Sequence, residues 1–153
     1  MSYTILSIPG GTTCREDDPV VRISSVPDGP ISLIVDYCAS YIQDGPLYGE
    51  IVFSNILEYR FQVDFVEYED LADHRDDYEF GLIEIHNSAY IENMASKGAN
   101  AQFHGQRFGQ VIQESEIKHY RLAFDEYGRF DVICFGVSAK VITESEYESA
   151  RNR

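Results

Sequence analysis

Few residues in this chain have the types and spacing for chemistry. Glu84 and His86 share one face of an expected strand and run directly into Asn87-Ser88. A carboxylate that orients an imidazole beside a hydroxyl is the arrangement of an activated nucleophile. No nucleophile-elbow motif accompanies it. The plainer assignment has Ser88 capping the helix that follows and His86 ending the strand with a hydrogen-bond partner. His119, near Arg121 and Asp125, reads as a cross-strand pairing residue rather than an acid or base. No catalytic residue is assigned on this basis. The alternative reading is a small-molecule-binding protein or enzyme with its site near Glu84, His86 and His119, in a cavity lined by some of the 11 tyrosines.

Metal and phosphate chemistry find no pattern. The histidines His74, His86, His104 and His119 form no HxH, HxxxH or HExxH motif, and Cys14, Cys38 and Cys134 form no CxxC. Neither a metal nor a cofactor is expected. Pro9-Gly10-Gly11-Thr12-Thr13 lacks the lysine of a phosphate-binding loop, and Gly105 and Gly109 lack dinucleotide-binding spacing. Cys38 and Cys134 lie in apolar runs, where a reduced cysteine behaves as a small hydrophobe.

Charge is the strongest signal. The 153 residues carry 12 Lys+Arg against 26 Asp+Glu, a net charge of −14. Half of that sits in one short run: Asp64, Glu67, Glu69, Asp70, Asp73, Asp76, Asp77 and Glu79, opposed only by Arg75. Tyr68 and Tyr78 are interleaved, and aromatic residues are typical interface anchors. A solvated face that keeps the protein soluble accounts for such a run. So does a docking surface for a basic protein, where opposite potentials speed encounter and set orientation. A nuclease toxin must be basic to hold phosphates, so an immunity-type inhibitor is one specific form of this reading. The same charge excludes nucleic acid and anionic lipid as partners, because both require a basic face.

The elements that position these residues are mostly strands. Ile31, Leu33, Val35 and Tyr37 alternate with more polar neighbours, and Val20–Val26 precedes them across Pro27-Asp28-Gly29-Pro30, a turn sequence. Asp44-Gly45-Pro46 gives a second reversal into Tyr48–Phe53. The phase of Ile51, Phe53 and Leu57 continues through Tyr59, Phe61, Val63 and Phe65, too long for one strand, so a bend is expected near Ser54-Asn55. Tyr120–Phe124 and Phe130–Val137 flank Asp125-Glu126-Tyr127-Gly128 as a hairpin. Val132-Ile133-Cys134-Phe135 is apolar on both faces and should be covered on each side. Ser88 starts a helix over Ala89–Lys97, and Thr143-Glu144-Ser145-Glu146 has capping-box spacing for a second. Residues 99–117 show no period. The expected fold is α+β: a mainly antiparallel sheet of about seven or eight strands, sandwich or partly closed barrel, with one or two short helices. Residues 1–153 are expected to form a single globular domain, fraying at about 1–2 and 150–153.

Asn87-Ser88-Ala89-Tyr90-Ile91 after Leu82–His86, together with His119–Asp125 leading into Phe130-Asp131-Val132-Ile133, resembles a loosely defined group of small uncharacterised bacterial proteins. The resemblance covers the second half. It implies a bacterial, cytosolic domain and transfers no activity or functional residue. Met1–Leu6 lacks a basic region and stops at Pro9-Gly10, so no signal peptide is read, and no apolar run approaches a membrane span. A cytoplasmic location follows as the expectation. A third role, self-association into a homo-oligomer through an exposed sheet edge, needs no motif.

Overall fold

Alternate residues along the strands of two sheets face one shared core. The computed structural model describes residues 2–11, 13, 18–25, 30–42, 45–63, 81–96, 114–124 and 127–152. Among them are nine strands: β1 (Ser2–Leu6), β2 (Val20–Ser25), β3 (Ile31–Ile42), β4 (Gly45–Ser54), β5 (Glu58–Val63), β6 (Leu82–His86), β7 (Lys118–Phe124), β8 (Gly128–Cys134) and β9 (Gly136–Ile142). Two α-helices, α1 (Ala89–Ser96) and α2 (Glu144–Arg151), and a 3-10 turn at Glu114–Glu116 complete the regular structure among the described residues. All strand pairs are antiparallel, in a five-stranded sheet ordered β1-β6-β7-β8-β5 and a four-stranded sheet ordered β2-β3-β4-β9. The α+β expectation holds, as a two-sheet sandwich rather than a closed barrel.

Leu33, Val35 and Tyr37 of β3 and Ile51 and Phe53 of β4 meet Tyr120, Leu122 and Phe124 of β7 and Phe130 and Val132 of β8 in one buried cluster. Rings cross the interface, with Phe53 and Tyr120 centroids 6.1 Å apart and Tyr37 and Phe124 6.3 Å apart. Gly49 sits opposite Tyr37 in the ladder, and any Cβ there would collide with the tyrosine ring. The ring crosses the bare backbone and its hydroxyl donates to the Pro9 carbonyl at 2.7 Å.

The expected bend falls at Ser54-Asn55. Asn55 has φ 55°, in the left-handed region that asparagine tolerates, and the chain passes there from the four-stranded sheet into the five-stranded one. The returning strand differs from expectation. Phe130–Val137 reads as one run, but the structure breaks it at Phe135, ending β8 and sending β9 to the other sheet. The two crossings lie side by side, with the Phe135 N–H donating to the Ser54 carbonyl at 3.1 Å and the Leu57 N–H to Ile133 at 2.8 Å. The β7–β8 hairpin pairs Phe124 with Gly128, whose φ of 148° is closed to other residues.

Every residue of β8 is buried, including those facing away from the second sheet. On that outer side Tyr90 and Ile91 of α1 pack against Ile117 and Ile133. No helix among the described residues is long and apolar enough to cross a membrane.

Candidate functional site

The end of β6 has three successive tasks. Glu84 and His86 project from one face, Asn87 reverses the chain with φ 54°, and Ser88 caps α1. The Tyr90 N–H donates to Ser88 Oγ at 3.2 Å and the Glu92 N–H to the Ser88 carbonyl at 3.1 Å. The capping assignment made from sequence therefore stands.

Glu84 Oε2 lies 3.3 Å from His86 Nδ1, and Thr4 Oγ1 of β1 lies 2.6 Å from His86 Nε2. Both ring nitrogens are engaged. The β1–β6 register explains this, since Thr4 stands directly across from Glu84. Ser88 does not pair with His86. Its Oγ lies 2.6 Å from Nδ1 of His119, on the outer face of the sheet, and His119 Nε2 lies 2.7 Å from Asp131 Oδ1. His119 thus bonds Ser88 and Asp131, a partner the sequence reading does not name; Asp125, one of the two it does name, lies outside the described residues.

Arg121 Nε donates to the same Asp131 oxygen at 2.9 Å, and Arg129 Nε is 3.5 Å from Oδ2. Ser88, His119, Arg121, Arg129 and Asp131 are all buried, Asp131 to 3% exposure. Burial pushes the Asp131 carboxyl up, but the His119 hydrogen bond and the charges of Arg121 and Arg129 outweigh it and hold the group below its ordinary value. The ionised Asp131 can only accept, so the proton of a neutral His119 ring is assigned to Nε2, and Nδ1 then accepts from the Ser88 hydroxyl. The Tyr90 ring meets the imidazole edge-on at 5.1 Å, and Arg60 packs on the same tyrosine: its guanidinium carbon is 5.0 Å from the Tyr90 ring centre and it also bonds the Tyr90 hydroxyl.

Glu84, His86 and His119 all line one cleft of about 750 Å³, together with Ser88, Glu92 and Lys118. The structure brings the three sequence-selected residues to one cavity but divides them into two bonded groups, Thr4–His86–Glu84 and Ser88–His119–Asp131. Sequence reading missed Asp131 and Thr4. The signal was available in the hairpin: pairing Phe124 with Gly128 sets Arg121 opposite Asp131.

The acidic run from Asp64 to Glu79, with Tyr68 and Tyr78, lies outside the described residues, as do His74, His104 and Cys14. Cys38 and Cys134 carry buried thiols. Among the described residues, no three His, Cys, Asp or Glu side chains converge as metal ligands. Comparison of the chain with protein-family models, with curated proteins and with solved structures finds no match.

Proposed function

We propose that this chain is a non-catalytic acidic binding protein for a basic protein partner, in the manner of an immunity-type inhibitor of a cationic toxin. The observation that carries the reading is how charge is sorted. Arg121 and Arg129 are buried against Asp131, and Arg22 bridges Asp36 and Glu50 at 3.0 Å each. These cations do little for the surface potential. Asp18, Glu58, Glu92, Glu116, Glu144 and Glu146 are exposed, against Arg60, Lys140 and Arg151 among the described residues. A surface of that balance steers a cationic macromolecule and repels DNA, RNA and anionic lipid. The test is association with a panel of small basic nucleases across ionic strength, using wild type and a triple charge reversal of Asp73, Asp76 and Asp77 to lysine. The reading expects affinity that falls with salt and falls again in the variant. Binding to none of the panel, or affinity indifferent to salt and to the reversal, counts against it.

Catalysis by Ser88 is disfavoured on physical grounds. Its hydroxyl and the His119 ring are buried and mutually engaged, and two arginines neutralise the carboxylate that would stabilise an imidazolium. The cleft supports a second reading as a small-molecule-binding site, since about 750 Å³ falls within the usual range for ligand pockets. A metabolite that binds there raises the melting temperature, and Glu84→Gln removes the rise.

A further inference from the structure

Cations are scarce in this chain, and almost every described one is engaged. Arg22, Arg121, Arg129 and Lys140 face carboxylates, Arg60 bonds Tyr90, and Arg151 is held as well. Lys118 is the exception. Among the described residues it is the one lysine or arginine with neither an ion pair nor a hydrogen bond, and it is half-buried. A cation drawn part-way out of water with no anion beside it loses hydration without compensation. In a chain of net charge −14 an internal anion is the commonest partner to be had, so its absence here points to one from outside.

The ladder explains why no carboxylate of the chain answers. His119 pairs with Ile85, so alternation turns Lys118 to the face of β6 that carries Glu84 and His86. Glu84 is taken by His86 at 3.3 Å, and the second ring nitrogen by Thr4. On its other side Lys118 stands across from Cys134, whose thiol burial keeps protonated. Lys118 therefore borders the cleft of about 750 Å³ as an uncommitted donor. Half-buried Ile91 of α1 gives the same cleft an apolar wall, and Glu92, its other carboxylate, is exposed and makes no ion pair with the lysine.

We propose that this cleft binds a small organic carboxylate, with its anionic end on Lys118 and its hydrocarbon against Ile91. One ammonium matches one carboxylate. A phosphate, at about two charges, is better served by several cations or a bidentate guanidinium, and Lys118 is the only lysine or arginine in the described lining. The inference rests on the second reading above, the cleft as a small-molecule site, and is independent of the basic partner.

The test compares three probes of one shape at constant ionic strength: 4-phenylbutanoate, 4-phenylbutanamide and 4-phenylbutylammonium. Backbone amide shifts by NMR should saturate with the acid at His86, Ile91 and Lys118. The amide and the ammonium should bind at least about tenfold more weakly, the loss of one charged hydrogen bond. Lys118→Met keeps the stem and removes the charge, and should abolish the shifts, whereas Lys118→Arg should retain them in part. Lys140→Met, which removes an equal charge from the other sheet, should leave them unchanged. No saturable shift with the acid, equal or tighter binding of the amide or the ammonium, or shifts that survive Lys118→Met would overturn the carboxylate site. The cleft reading fails separately: a metabolite of another class whose stabilisation Glu84→Gln removes would keep the cleft as a small-molecule site while the acid probe is silent.

Discussion

Asp131→Asn isolates the electrostatic knot that ties α1 to the sheet. The carboxylate is 3% exposed and receives His119 Nε2 at 2.7 Å, Arg121 Nε at 2.9 Å and Arg129 Nε at 3.5 Å. Asparagine keeps the shape and removes the charge, so an imidazole and two buried guanidiniums lose their shared counterion. Removing one partner of a buried pair costs about 3–5 kcal/mol, a large part of the roughly 5–15 kcal/mol by which a domain is stable. At a urea dependence of about 2 kcal/mol per molar, a loss of about 4 kcal/mol lowers the unfolding midpoint by about 2 M. The sign with pH is fixed by the depressed carboxyl. Its contribution is fully present above the unfolded value of about 3.9 and is lost as pH falls through the folded one. Urea titrations of both proteins at neutral and acidic pH should therefore show a wide gap that closes in acid. A neutral-pH cost below about 1 kcal/mol, the size of an ordinary hydrogen bond, would refute the reasoning.

Three further outcomes follow from local geometry. Ser88→Ala should cost about 2 kcal/mol, about 1 from the lost helix cap and about 1 from leaving the buried His119 Nδ1 without its partner, still less than Asp131→Asn in the same urea assay because the ion pairs survive it. Gly128→Ala should cost about 3 kcal/mol or more, read as a fall in melting temperature: φ is 148° and the new Cβ would run into the Gln62 carbonyl and the Phe61 ring. Cys134, whose thiol burial pushes up to about 12, should resist alkylation at neutral pH in the native protein and react once urea unfolds it.

Sequence patterning located most strands because one face of each meets the shared core. Leu33, Val35 and Tyr37 alternate visibly, and so do Tyr120, Leu122 and Phe124. The same logic hid the buried network. His119, Arg121 and Asp131 are the polar half of that alternation, which normally marks a solvent face, yet here they are covered. Periodicity distinguishes faces but does not say what packs on the second one. Strand β1 went unread because its five residues form a half-exposed edge with weak alternation. Of strand β9 only Gly136 and Val137 are legible, as the end of the Phe130–Val137 run, because a corner between sheets leaves little mark in composition. Of the site, Ser88's capping role was legible from local spacing, since capping is a local property. Its bond to His119 depends on how β6 and β7 align, which no short motif encodes.

The two neighbouring corners at Ser54–Leu57 and Phe135 also make the halves of the chain inseparable. Strands β1 to β5 come from residues 2–63 and β6 to β9 from residues 82–142. In one sheet β6, β7 and β8 are inserted between β1 and β5, and in the other β9 seals the open side of β4. Each half thus supplies the missing neighbours of the other. Severed anywhere between Val63 and Leu82, the pieces should remain associated through interleaved ladders, and either one produced alone would present raw strand edges and half a core to water.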